Sequence, residues 1–335
     1  MARILTESER RTFTQICSLR QTGVIQLMSQ LLKKKYNYST VYVTNAYIVG
    51  IGDIPVGIVA HADTVFKTPP KKDNIFYDQE KNVMWSNYGL GADDRAGIFA
   101  IMKILAEGLK PHIIITTDEE KGCLGAIKLV QKMKSFPAEL KYLIQLDRRN
   151  FIDSVYYDLD HKEFENYVNS FGFKTNTGSF SDISTLAPSW GVAAVNLSIG
   201  YVEEHFETEH LYIDAMMNTI AKVINMLNDA ENINKFDYIE KTYLYGYDSF
   251  LFDNSHCQFC GMRESPESLM PIKMSESPEA TTMHVCIDCY TLYLKNIVHC
   301  NKCGQAYYFP KGRIPKNIDT WICKECEGNS DDNSI

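Results

Sequence analysis

The chain has 335 residues, of which 45% are hydrophobic and 23% charged. That is room for one full enzymatic domain with a smaller appendage, in a water-soluble globular protein with no long disordered tract. A formal net charge of −8 argues against nucleic-acid binding through global charge, and the charged start MARILTESERRTF together with the lack of any apolar run of roughly 18 residues argues against a leader or a membrane span; the expected location is the cytoplasm.

In chain order, residues 8 to 34 have helical spacing, with Ile25, Leu27, Met28, Leu31 and Leu32 on one face and Lys33 to Lys35 at the basic end. The runs TVYVTNAYIVG and IPVGIVAHAD read as two strands joined by a hairpin turn at Gly52-Asp53. Gly50 and Gly52 make too weak a pattern for a phosphate loop. Helix and strand then alternate. GIFAIMKILAEGL is predicted helical, HIIITT a buried strand, GAIKLVQKMKSF helical and KYLIQLD a strand. HKEFENYVNSFGF follows as a helix, GVAAVNLSIG as a strand and HLYIDAMMNTIAKVINMLNDA as a long amphipathic helix. This order predicts a three-layer α/β/α domain with a mostly parallel central sheet over residues 1–240. Residues 241–255 are an aromatic-rich connector, and 329–335 a polar tail.

Five short segments carry acids or histidines where strands are expected to end, which is where such sheets place their active sites. His61-Ala-Asp63 closes an apolar run, and Asp63 can fix the tautomer of His61. Asp93 and Asp94 open a helix, where capping alone would explain a carboxylate. Asp118-Glu119-Glu120 follows a buried strand, and three consecutive acids repel one another unless cations neutralise them. Asp147 ends another strand, and His205 precedes the last helix. Each segment has an ordinary structural explanation alone. Together, two histidines and three carboxylates supply the ligands of a dinuclear zinc-type site.

The order H-x-D, D-D-x-x-G, E-E-x-G-x-x-G, D, H resembles the co-catalytic zinc exopeptidases, a superfamily that includes bacterial zinc aminopeptidases, tripeptidase T, glutamate carboxypeptidase and the tetrahedral aminopeptidases. The resemblance spans about residues 20–230. It implies that His61 and Asp147 hold one metal, Glu120 and His205 the other, and that Asp93, rather than Asp94, bridges them. It also makes Glu119 the general base and Asp63 the support of His61. The two metals would be zinc, with cobalt or manganese as alternatives. Only 57 residues separate Asp147 from His205 and 29 separate Asp63 from Asp93, too few for the inserted domains of the tripeptidase and tetrahedral branches. The compact aminopeptidase branch is nearest, and G-Y-x-x-x-H-x-x-x-E around His205 resembles it as well. The implied activity is hydrolysis of a peptide or acylated amino acid. Some relatives cleave non-peptide amides or act as cyclases with one metal. Arg148 and Arg149 can meet a substrate carboxylate or neighbouring acids, and Tyr201 can face an oxyanion or simply pack.

Eight of the ten cysteines form four C-x-x-C pairs: Cys257 and Cys260, Cys286 and Cys289, Cys300 and Cys303, Cys323 and Cys326. Taken two pairs at a time, over residues 256–296 and 297–328, they provide the ligands of two structural zinc ions. Consecutive pairing is the simplest arrangement, and a crossed one is open. The first module resembles a treble-clef finger. Between Cys300 and Cys326 five basic side chains face two acidic ones, a formal +3 that four zinc-bound thiolates reduce. That is weak for nucleic acid, so partner docking or self-association is the expected use. A zinc-finger interaction protein with an inactive or repurposed peptidase-like domain is the competing reading.

Overall fold

In a computed structural model, residues 4–241 are described, with 269–273, 282–287, 290, 297–302, 306–308, 320 and 322. The chain divides into two compact units, Met1–Tyr243 and Leu244–Ile335.

The first unit begins with α1 (Glu7–Cys17), started by a capping box in which Thr6 and Glu9 satisfy each other's backbone amides. The single helix expected over 8–34 is two. α1 stops at Ser18, whose hydroxyl donates to the Thr14 carbonyl, and α2 (Gln21–Gln30) begins after an extended Arg20. The break frees the carbonyl of Leu19 for the Arg95 guanidinium, 3.1 Å away. α2 runs on into a π turn, Leu31–Lys35.

TVYVTNAYIVG is a hairpin by itself, β1 (Thr40–Val43) and β2 (Tyr47–Ile51), turned by Thr44, whose hydroxyl accepts the amides of Ala46 and Tyr47. Then come β3 (Ile54–His61), β4 (Ile75–Asp78), β5 (Val83–Ser86), α3 (Ala92–Ala106), β6 (Pro111–Thr116), α4 (Leu124–Lys132) and β7 (Tyr142–Arg148). β8 (Asp153–Val155), α5 (Lys162–Ser170), β9 (Lys174–Asn176), α6 (Asp182–Trp190), β10 (Ala194–Ser198), β11 (Tyr201–Val202), β12 (His210–Tyr212) and α7 (Ile213–Asn228) complete the unit. The hairpin turn expected at Gly52-Asp53 is absent, because β6 lies between β2 and β3. Gly52 crosses the start of β6 instead. A side chain there would run into the carbonyls of Lys110 and Pro111, and the amides of Asp53 and Ile54 bond to Lys110 O at 2.8 and 3.0 Å.

The main sheet has the order β1-β2-β6-β3-β7-β10-β8-β9. β6, β3, β7 and β10 are parallel, and β2 and β8 flank them antiparallel. The parallel strands are largely apolar on both faces because helices cover both, with a few buried polar residues such as Gln145 and Asn196 among them. Ile58, Ile113 and Ile144 point into the cluster shared with α1, α2, α3, α5 and α7, whereas Val59, Ile114 and Leu143 point into the cluster shared with α4 and α6. Alternation across one sheet into two cores makes the three layers. A second antiparallel sheet, β11-β12-β5-β4, was not legible in the sequence.

In the second unit, β13 (Met270–Lys273) pairs with β14 (Thr282–Val285), and β15 (Ile297–His299) with β16 (Ala306–Tyr308), both antiparallel. Cys286 and Cys300 follow β14 and β15 and are buried. Cys257, Cys260, Cys289, Cys303, Cys323 and Cys326, most of the connector and the polar tail lie outside the described residues. No described helix is long and apolar enough to cross a membrane.

Candidate metal centre

The C-terminal edge of the parallel strands gathers the acids and histidines of all five segments. His61 is the last residue of β3, Asp147 lies at the end of β7, and Glu119 and Glu120 sit in a 3-10 turn shortly after β6. Asp93 lies at the start of α3, after Gly91. His205 comes from the loop between β11 and β12, so the unanticipated small sheet delivers it.

Two imidazoles share one carboxylate. His61 Nε2 lies 3.0 Å from Asp93 Oδ1 and 3.3 Å from Asp147 Oδ1. His205 Nε2 lies 3.2 Å from Asp93 Oδ2 and 3.1 Å from Glu120 Oε2. Asp93 therefore presents one oxygen to each histidine. Metal–ligand bonds of about 2.0–2.2 Å in a tetrahedral arrangement put neighbouring donor atoms about 3.3–3.6 Å apart, so a small contraction or expansion of each triplet would seat a divalent ion. Glu120 Oε1 is buried and makes no hydrogen bond, an acceptor whose partner is missing. The donors of His61, Asp93 and Glu120 all lie within 4.8 Å of one another. These residues fit a pair of metal ions. His61, Asp94 and Asp147 meet the same criterion, but the oxygens of Asp94 already accept the amides of His61 (3.1 Å) and Gly97 (2.9 Å). Asp94 thus ties β3 to α3. Gly97 has no room for a side chain, since a Cβ would fall 2.6 Å from Leu146 O. The Asp93–Asp94 peptide is cis.

The acids around the two histidines favour their charged form. Burial works against a charged His61, yet Asp147, Asp63 and Asp93 hold its pKa well above the ordinary value. Hydrogen bonding to Asp93 and Glu120 pushes half-exposed His205 up to about 11. Burial, aided by neighbouring acids and opposed by His61, likewise raises Asp147 well above the carboxylate range.

Glu119 is buried beside this cluster. Burial, reinforced by Asp182, Glu120 and Asp93 and opposed by His61, pushes its carboxyl up to about 8. Its amide and that of Glu120 both donate to Asp63, at 3.1 and 3.2 Å, and Asp63 Oδ1 lies 3.3 Å from His61 Nδ1. Asp63 therefore couples the orientation of His61 to the position of the acid pair.

Three supports escaped the sequence reading. Glu209, fully buried, accepts the amides of Gly91, Ala92 (3.0 Å) and Asp93 (3.0 Å), fixing the turn that carries Asp93. Burial and the charge of Asp93 outweigh those amides and raise Glu209 to about 8. Arg95, also buried, donates to the carbonyls of Ala62, Asp63 (3.3 Å) and Leu19, holding the segment after His61. Asp182, at the start of α6, takes the Thr116 hydroxyl, and burial raises it to about 6. The His205–Glu209 spacing was visible, but nothing in it showed that Glu209 reaches back to residues 91–93. The hydroxyl of Tyr201, read as a possible oxyanion partner, donates to Asp147 Oδ1 at 3.1 Å. Arg149 pairs with Glu204 at 2.7 Å.

A cavity of about 330 Å³ opens over the cluster, lined by Asp93, Glu119, Glu120, Asp147 and His205 and also by Arg148, Arg149, Glu204, Ser179 and Phe180.

Residues 48–186 match the model of Peptidase family M28. That span contains His61, Asp63, Asp93, Glu119, Glu120 and Asp147 and ends before His205. No curated protein matches the chain. Among solved structures, the aminopeptidase PepT of Bacillus cereus is similar at TM-score 0.53 and 15% identity, over 68% of this chain and 99% of that one. A tripeptidase of Staphylococcus aureus is similar at 0.52 and 14%, over 69% and 100%. An aminopeptidase of the archaeon Desulfurococcus kamchatkensis is similar at 0.52 and 14%, over 66% and 94%. Identities this low establish a shared fold. The matched segment, with the donor set it contains, is that of a metal-dependent peptidase.

Proposed function

We propose that the protein is a metallo-aminopeptidase of the compact branch, with His61 and Asp147 as ligands of one ion, Glu120 and His205 of the other, and Asp93 between them. The observation that carries this reading is the placing of the two Asp93 oxygens, each against a different histidine that also meets a second carboxylate. Two divalent ions held there, zinc or alternatively cobalt or manganese, would acidify a water and polarise the scissile carbonyl. Glu119 is the general base. Its turn is fixed by two amide bonds to Asp63, it borders the same cavity beside the Cys123 thiol, 3.6 Å away, and, kept ionised by the charge of bound metals, its carboxylate would take a proton from water and return it to the leaving amine. Tyr201 and Gln145, the latter donating to Asp147 Oδ2 at 2.9 Å, hold Asp147 in place. The four C-x-x-C pairs are assigned to two structural zinc ions, in modules that dock a protein partner or a second copy, and the enzyme to the cytoplasm.

Aminoacyl arylamides, small peptides and acylated amino acids offered to the metal-stripped protein, with zinc, cobalt or manganese added back, test the activity. Hydrolysis should return only with metal. Glu119→Gln should lower turnover by about 10²–10⁴-fold while leaving metal content intact. Loss of metal from that variant would overturn the role of Glu119.

A further inference from the structure

Resting on that reading, a cation in the lining of the same cavity narrows the substrate class. Arg148 directly follows Asp147 and lines the same cavity, and its side chain is largely withdrawn from solvent, 19% exposed. A guanidinium so placed normally spends most of its five N–H groups on acceptors. Here Nη2 donates to Thr177 O at 3.0 Å. Nε is buried and makes no hydrogen bond. The nearest carboxylate to Nε, Asp153 Oδ2, is 3.9 Å away, beyond hydrogen-bond reach, and already accepts from Asn150 at 3.0 Å. The adjacent Arg149 differs, being half-exposed and closed by its ion pair with Glu204.

An under-satisfied fixed cation inside a cavity that is otherwise lined largely by acids selects for a ligand that is anionic at one end. We propose that Arg148 is a carboxylate receptor, and that the substrate is a short peptide whose free C-terminal carboxylate binds Arg148 while its amide lies over the Asp93 cluster. The planar fork of arginine suits a carboxylate in a bidentate pair, and partial burial makes that pair stronger than an exposed one. Arg148 directly follows Asp147, so only a short stretch of chain separates the scissile bond from the carboxylate, and di- and tripeptides should be preferred to long ones.

The test compares a dipeptide and its C-terminal amide as substrates of the full, metal-loaded protein. Wild type should favour the free acid by at least about 10-fold in kcat/KM, carried mostly by KM. In Arg148→Ala that ratio should collapse toward one, and Arg148→Lys, which keeps charge without the fork, should fall between. A wild-type ratio near one overturns the proposal without any variant. So does an Arg148→Ala protein that keeps the preference. Hydrolysis of the amide alone would leave the aminopeptidase reading standing and this one refuted, whereas hydrolysis of neither substrate, with metal bound, would refute both.

Discussion

At the scale of single residues, the centre depends on groups that never face the cavity floor. Glu209 satisfies three amides in the turn holding Asp93, from a position more than a hundred residues away in the chain. Glu209→Ala should leave those buried donors unpaired, costing about 3 kcal/mol of stability in denaturant unfolding and weakening metal binding about 10–100-fold. A variant of wild-type stability and affinity would show that the turn holds itself. The residues that meet at the cluster were legible in the sequence because H-x-D and paired acids are chemically conspicuous; His61 and Asp147 do lie at strand ends, whereas Asp93 opens a helix and His205 lies in a loop. Glu209, Arg95 and Asp182 were not legible, because they act through backbone amides, carbonyls and a threonine hydroxyl of distant segments. Such partners leave no local pattern. Tyr201 shows the opposite difficulty: a conspicuous hydroxyl near the site whose partner, Asp147, only the fold reveals.

Among elements, the long apolar strands and periodic helices were readable, and the errors fell where short-range pattern competes with topology. Gly52-Asp53 between two β-rich runs has the chemistry of a hairpin turn, yet β6, some sixty residues later, takes the place beside β2. The four short strands of the second sheet alternate too briefly to announce themselves, although their loop carries His205. Helical spacing over 8–34 shows no break between α1 and α2, and the break rests on Ser18 and on the reach of Arg95. α1 also carries a measurable titration. Partial burial tends to raise Glu9, but the hydrogen bonds from Lys103 and Thr6 win and hold it at about 2 against an ordinary 4.5. A depressed carboxyl stabilises the fold above its unfolded pKa and loses that contribution as pH falls through the folded one. Wild type should therefore lose stability between about pH 4.5 and 2 more steeply than Glu9→Gln, as followed by thermal melting; parallel curves would remove Glu9 from the acid response.

For the whole molecule, the short separations along the chain, 57 residues from Asp147 to His205 and 29 from Asp63 to Asp93, kept the site within one unit. The family match spans all the proposed catalytic residues except His205, which the fold brings to Asp93 and Glu120. The cysteine-rich unit contributes two buried thiols among its described residues and a ligand count that belongs to its sequence. The central claim is a pair of ions straddling Asp93. Anomalous diffraction at the zinc edge from crystals of the zinc-loaded protein addresses it directly. Two peaks about 3.5–4 Å apart, one against His61 and Asp147 and the other against His205 and Glu120, are the expected result; a single peak, or a pair that leaves either histidine without an ion, would contradict it.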